Sequence, residues 1–422
     1  MGKESLWKRL CLLFVFTVCA LAAGCSQKDP VPEPQEPEVE ISTPADPAPT
    51  DPAEDETPRE DVQYIQSNKS LKGKEMLLSE NALIFKDTET GDVMYVCSIP
   101  GCTHSDWQTC TALRCCGECP VLYNDRIYVF LQNDEGNASL FSLNIDGTDI
   151  REECSFGEYS QESAFYCLGS VRVGDKLYFA VNYLKQSVDQ NSQYVKQEFE
   201  SLSLFEYDFT AGTSRELYKG EKGYAVSYGV QLRYSAGKLL LSYDLQKKSP
   251  EDVGYTMEEY MSLLMSGTSE ELLELYEQMD YTNYNYEIDI ESGERREYSG
   301  EGRVIGYQKG RLLLTNENQN PVWYDMETEK TTVISEEICR KFFQLDGVII
   351  IGTGEVHTEE TYWLLFEDKD EPVQWTRTKE NLDFQVECAG DESLYIAWLP
   401  AWKDSFGEEW IYEFVNREDF LR

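Results

Sequence analysis

The chain has 422 residues, 78 of them acidic against 37 basic, for a formal net charge of −41, and 41% of its residues are apolar. Contact with phosphate needs a basic surface, so this balance excludes a nucleic-acid partner and disfavours docking on an anionic bilayer. The excess charge keeps an exposed molecule soluble by self-repulsion, while the apolar fraction suffices for a large core.

Lys3, Lys8 and Arg9 precede an uncharged apolar run over residues 10–23. A bilayer span takes about 20 residues, so this shorter run reads as the apolar part of a secretion signal covering 1–24. It ends in Leu21-Ala22-Ala23-Gly24-Cys25, which resembles the lipobox of bacterial lipoproteins. That resemblance implies cleavage before Cys25, attachment of a diacylglycerol to its thiol, and a lipid-anchored position on the extracellular side of the cell membrane. The alternative is a secreted protein cut nearby, with Cys25 as a structural thiol.

Residues 25–62 change composition abruptly. Nine of the fifteen prolines fall here, with twelve acidic residues against Lys28 and Arg59. A segment so charged and free of aromatics cannot bury enough apolar area to offset the entropy of ordering. It reads as a disordered tether whose polyproline-like reach is at most on the order of 100 Å.

From residue 63 onward one pattern recurs. In 124–150, Asn124-Asp125 precedes an apolar strand, Ile127–Leu131, and a second, alternating strand from Leu140 closes on Asn144-Ile145-Asp146-Gly147. The apolar strand returns as Ala82–Phe85, Lys176–Ala180, Lys238–Ser242, Arg311–Thr315, Val348–Ile351 and Ser393–Ala397. Most copies follow a turn pair such as Gly174-Asp175, Ala236-Gly237 or Lys309-Gly310. A hairpin unit of this kind cannot bury both faces alone, so it must stack on copies of itself. Seven units over 63–422 average about 51 residues, the spacing of propeller blades. The fold class expected is therefore an all-β propeller of seven blades, with six or eight as alternatives; a sandwich pair or a solenoid would leave strand edges open.

A helical insertion interrupts the fourth unit near 256–280. Thr256 with Glu259 and Thr268 with Glu271 have capping-box spacing. Met257, Tyr260, Met261 and Leu264, then Leu272, Leu275, Tyr276 and Met279, follow helical periodicity. Two short amphipathic helices are expected, packed on each other and on the propeller rim.

Chemistry is concentrated in one stretch. Cys97, Cys102, His104 and Cys110 lie within 14 residues, followed by Cys115, Cys116 and Cys119. Three thiols and an imidazole match a closed tetrahedral zinc site of structural type. Ten cysteines besides Cys25 follow the signal, an even count in an exported chain, so a disulfide knot is the competing reading.

The Cys97-Ser-Ile-Pro-Gly-Cys102-Thr-His104 segment, the later Cys110-Thr-Ala112, and the Asn124 and Asn144 turns together resemble a family of surface lipoproteins of Gram-positive anaerobes. More loosely, the repeat resembles TolB-like and YWTD-type propellers. The first resemblance covers the signal, the tether and the first two units; it implies a surface lipoprotein and assigns no activity.

Other constellations are weaker. Asn144, Asp146 and Asp149 have the flavour of a calcium loop, yet no glutamate follows at the spacing that would complete one, and a hairpin turn accounts for them. Trp398, Trp402 and Trp410, with Asp404, Glu408 and Glu409, suggest an aromatic platform beside carboxylates of the kind sugars stack on. His357 has no nucleophile beside it. No catalytic residue is assigned. The expected function is a binding or scaffold module for a protein or glycan partner; the alternative is a hydrolase or lyase acting on surface polysaccharide or peptide from a central pocket.

Overall fold

A computed structural model describes residues 61–421 apart from 66–68, 73–74, 133–137, 158–162, 189–194, 227–229, 267–268, 299, 355–360, 376–381, 391–392 and 401–410. Its strands form seven antiparallel sheets arranged as a seven-bladed β-propeller. The blades cover 69–95, 118–157, 163–219, 225–297, 303–333, 339–375 and 382–416.

Local chemistry builds each blade. Its first two strands are joined by a two-residue loop, as the register shows: Tyr123 faces Arg126, Val173 faces Lys176, Ser235 faces Lys238, Gln308 faces Arg311 and Leu345 faces Val348. Such loops need positive φ, which Asn124 (47°) and Asp125 (58°) adopt. The third strand ends on a second recurring device. Asp87, Asp208, Asp289 and Asp325 each accept, on the backbone oxygen, the N–H of the residue four positions on. Each carboxylate also takes two N–H groups inside the turn.

The second strand lies between neighbours within its sheet and between blades, so it is apolar on both faces; Val348–Thr353 is buried throughout. In the first blade this corrects the sequence reading. Ala82–Phe85 belongs to the third strand, Leu83–Asp87, and the second strand is Glu75–Ser79. The local mark was Gly73-Lys74, a turn pair that stands directly before Glu75 in the sequence as its counterparts do in other blades.

Every seam between blades holds an apolar cluster. The largest fills the seam of blades three and four around Phe199, Leu204, Leu239 and Tyr243. The smallest closes the ring between blades seven and one, with Leu71, Met76, Cys388 and Tyr395. That seam is reinforced by an ion pair, Lys69 Nζ to Glu387 Oε2 at 3.0 Å. Gly390 lies so close there that a Cβ would stand 2.9 Å from the Leu71 carbonyl oxygen. In the last blade three strands precede the helix Arg417–Leu421, whose Phe420 is buried against Trp375, Phe384 and Trp398.

The helical insertion comprises Met257–Ser266 and Ser269–Gln278. Thr256 and Glu259 form the reciprocal capping box: the Glu259 carboxylate accepts from the Thr256 N–H at 2.8 Å and the Thr256 hydroxyl accepts from the Glu259 N–H at 3.2 Å. Leu275 and Met279 are fully buried. Thr268 lies outside the described residues.

One strand belongs to no repeat. Val62–Ile65 pairs antiparallel with Ser170–Val173, the inner strand of blade three, on its central side. Val62, assigned to the tether on composition, is thus the first residue of a strand that runs up the middle of the ring.

Candidate functional site

Two places on this scaffold gather chemistry: the loop from the first blade's rim to the second blade's centre, and the central channel.

In the loop, Pro100-Gly101 makes a turn, with Gly101 at φ 69° and the Cys102 N–H donating to the Ile99 carbonyl at 3.2 Å. His104, itself at φ 50°, stacks flat on Tyr95 with ring centroids 3.9 Å apart. Asp106 accepts from Gln108 N–H and the Thr109 hydroxyl, steering the chain into the helix Thr111–Arg114, whose N-cap is Cys110. These devices bring one ligand atom from each of Cys97, Cys102, His104 and Cys110 within 4.8 Å of one another. The Cys97 and Cys110 sulfurs are 3.8 Å apart, and His104 Nδ1 is 3.3 Å from Cys110 Sγ.

These distances suit an ion better than a covalent link. Ligands at about 2.3 Å from a tetrahedral zinc have edges of about 3.8 Å, whereas a disulfide needs about 2.05 Å. The electrostatics agree. Burial opposes ionisation of Cys97, yet N–H groups of Ile99 and Thr111 donate to its sulfur and bring the thiol down to about 7. The neighbouring Cys110 moves upward, through burial first and then through the adjoining thiols. One thiolate thus suppresses the next unless a cation is shared between them. Four protein ligands leave no open coordination position.

Gly147 ties this loop to blade two. It sits at φ 79°, and a Cβ there would stand 2.9 Å from backbone atoms of Cys97 and Ser98. The calcium-like residues around it serve the turn: Asp146 accepts from the Thr148 N–H and hydroxyl, and Asp149 pairs with Arg126 at 2.8 Å and Arg151 at 2.6 Å.

The remaining cysteines divide by surroundings. Cys115 is buried in the first seam, with burial pushing its thiol up to about 11. Cys116 Sγ lies 3.5 Å from the Ser79 hydroxyl. Cys119 and Cys167, both buried between blades two and three, have sulfurs 3.1 Å apart. A small disulfide oxidant is expected to join this pair, each thiol losing its proton and the oxidant taking two electrons, as peptide mapping would show. The cross-link closes a long loop, contributing about 2–4 kcal/mol that Cys119→Ser removes. Free thiols at both positions after such treatment count against it.

The channel is crossed by Val62–Ile65. The Tyr64 hydroxyl donates to the Tyr234 carbonyl at 2.9 Å and accepts from the Tyr234 N–H and from Gln344 Nε2, each at 3.2 Å. Gln63 Nε2 donates to the Leu71 carbonyl at 2.9 Å, and Arg172 Nε donates to Gln63 Oε1 at 3.3 Å. Four residues thereby bind blades one, three, four and six. Burial pushes the Tyr64 hydroxyl up to about 12.

Of the aromatic platform expected from sequence, only Trp398 lies among the described residues. Trp398 is a core residue, 1% exposed, whose Nε1 donates to Glu413 at 2.7 Å. Trp402, Asp404, Glu408, Glu409 and Trp410 lie outside the described residues, as do Cys25 and His357. Sequence reasoning missed Tyr64 and Gln344; the short alternation Val62-Gln63-Tyr64-Ile65 after the tether was the available signal.

No protein-family profile and no curated protein matches the chain. Solved structures resemble it at low identity. An acylaminoacyl peptidase is 9% identical over 80% of this chain and 49% of its own, with a TM-score of 0.38. TolB from Acinetobacter baumannii is 9% identical over 81% and 77%, with a TM-score of 0.29. An oligogalacturonate lyase from Vibrio parahaemolyticus is 11% identical over 86% and 85%, with a TM-score of 0.39. The chain spans about half the length of the peptidase. Likeness this distant says nothing of activity; the fold stands on the chain's own strand pairing.

Proposed function

We propose that this chain is an extracellular lipoprotein, anchored through Cys25 and held off the bilayer by residues 26–60. On this reading its propeller is a binding module for a protein or glycan partner, and Cys97, Cys102, His104 and Cys110 hold a structural zinc ion. The observation that carries it is the occupied channel. The centre of a ring fold is where inner strands converge reacting groups on a substrate, and here a strand of the chain itself fills much of that space.

Orientation supports the reading. The Gly174 N–H donates to the Asp61 carbonyl at 2.8 Å and Arg172 pairs with Asp61 at 2.7 Å, so the chain enters at the face of the first inner hairpin turns. The long hairpin of Lys176–Val188 and Val195–Asp208 and the helix pair belong to the opposite ends of their strands. An anchor at Cys25 therefore presents that elaborated face away from the membrane.

Fractionation with a clickable fatty acid tests the anchor. Wild type is expected in the membrane fraction carrying the label, and Cys25→Ala is expected unlabelled, either released or unprocessed. Unlabelled wild type, or a processed Cys25→Ala chain that still fractionates with membranes, would refute lipidation as the anchor. Incubation with surface polysaccharides and peptides separates binding from turnover. Bound and unaltered ligand is expected, and new reducing ends or cleaved peptide would replace this reading with the hydrolase or lyase.

A further inference from the structure

We propose that the central cavity is a binding site for a small organic monocarboxylate, received by Arg233. The inference goes beyond the anchor and partner reading and depends on neither lipidation nor zinc. Beside Tyr64 and Ile65 the channel keeps a cavity of about 380 Å³, within the size range of small-ligand sites. Its lining is mixed: Leu168, Phe342 and Phe343 supply apolar wall, and Tyr64, Ser170, Arg233 and Gln344 supply polar groups.

Arg233 stands on the inner strand Gln231–Ser235 of blade four. Its neighbours Tyr234 and Leu232 pack in the seam with blade three, strand alternation puts Arg233 on the other face, and Arg233 borders the cavity. The guanidinium carbon lies 5.7 Å from the centre of the Tyr64 ring. Its one hydrogen bond among the described residues runs from Nη1 to the adjacent Leu232 carbonyl at 3.2 Å. Nε is buried with no partner, and the buried Ser170 hydroxyl, which belongs to the same cavity wall, has none either. Burial presses the guanidinium toward its neutral form, and among the described residues the Tyr64 hydroxyl is the one ionisable group acting on it.

A half-buried guanidinium stays charged and is costly to leave unpaired. The chain has 78 carboxylate side chains, yet no described one meets this cation, and space is kept beside it. A ligand carboxylate completes the arrangement: its two oxygens match the planar fork of donors, and the Ser170 hydroxyl offers a further bond. A single cation within a chain of net charge −41 favours a monoanion over phosphate or a dicarboxylate. The apolar stretch of wall at Leu168, Phe342 and Phe343 gives an acid's apolar body a surface to pack on.

Titration calorimetry on the full mature chain tests this, with benzoate, 4-methylpentanoate and acetate as probes and benzamide and inorganic phosphate as controls. Benzoate and 4-methylpentanoate are expected to bind saturably and more tightly than acetate, and the controls not at all. Arg233→Met is expected to weaken carboxylate binding roughly 10- to 100-fold. That variant exchanges an unpaired half-buried charge for an apolar stem, so without ligand it melts no lower than wild type. Ser170→Ala, which removes only a hydroxyl, gives the same comparison with a smaller drop. Absence of saturable binding by all three carboxylates to the wild type overturns the proposal, as does unchanged affinity in Arg233→Met.

Discussion

Protein purified anaerobically is expected to carry near-stoichiometric zinc, and Cys110→Ser is expected to lose it. Cys110 is the ligand with most to lose: it is fully buried, caps the helix Thr111–Arg114, and lies within 3.8 Å of both Cys97 Sγ and His104 Nδ1. Structural zinc in a four-ligand site adds apparent binding energy of order 10 kcal/mol to the folded state at neutral pH. Removing it leaves buried sulfur and nitrogen atoms with no shared cation, and the Cys97–Cys110 loop has little apolar burial of its own to replace that energy. The loss should therefore concentrate where the loop meets Gly147, visible as rapid amide exchange from 97 to 115 and as a lowered melting temperature. Cys115→Ser, altering a thiol outside the four-ligand set, should keep the metal. Metal-free protein whose Cys97, Cys102 and Cys110 are oxidised in pairs despite anaerobic handling would sink the zinc reading and restore the disulfide one.

Raising the pH above about 10 should unfold the propeller over a narrow interval. Tyr178, Tyr207, Tyr218, Tyr243, Tyr298 and Tyr307 are buried, and burial raises each hydroxyl above its ordinary value of 10.0. Carboxylates add to this at five of them: Glu206 at Tyr178, Glu153 at Tyr207, Glu287 at Tyr307, Glu221 at Tyr243 and Glu301 at Tyr298. The sign follows from linkage. A raised folded pKa means that the neutral phenol is retained in the native state while the unfolded chain ionises from pH 10 upward, so the stabilisation is complete below 10 and declines above it. Each such tyrosine removes up to about 1.4 kcal/mol per pH unit, and six acting together remove up to ~8 kcal/mol over one unit. A total stability of roughly 5–15 kcal/mol does not survive that for long. Tyrosinate absorbance and sheet circular dichroism should then change together in one cooperative step. Smooth ionisation centred on the ordinary value, with the sheet signal intact, would show these phenols to be solvent-accessible.

The repeated hairpin was legible in the chain because its determinants are local. Asn124-Asp125 supplies the positive φ of a two-residue loop, and that loop alone fixes the register of Tyr123 against Arg126. The number of blades followed from the recurring apolar strand, which is the second strand in six blades and the third in the first. The capping box of Thr256 and Glu259 was equally readable, since its partners are three residues apart. The spacing of Cys97, Cys102, His104 and Cys110 identified the candidate ligands without deciding between an ion and covalent bonds.

Long-range geometry decided the rest. Ligand atoms within 4.8 Å of one another, with sulfurs 3.8 Å apart, favour an ion, and that arrangement depends on how Gly147 of the next blade lets the loop close. Val62–Ile65 looked like the end of a tether because its partners lie far along the chain: Gln63 bonds to Arg172, and Tyr64 to Tyr234 and Gln344. Trp398 had the composition of a surface platform, and its burial follows from Phe420, a residue of the final helix that packs on it only once the last blade is formed. Arg233 is the sharpest case. A sequence with twice as many acids as bases gives every arginine a surplus of possible partners, and only the closed ring, by fixing which side chains can reach the channel, leaves this one without a carboxylate among the described residues.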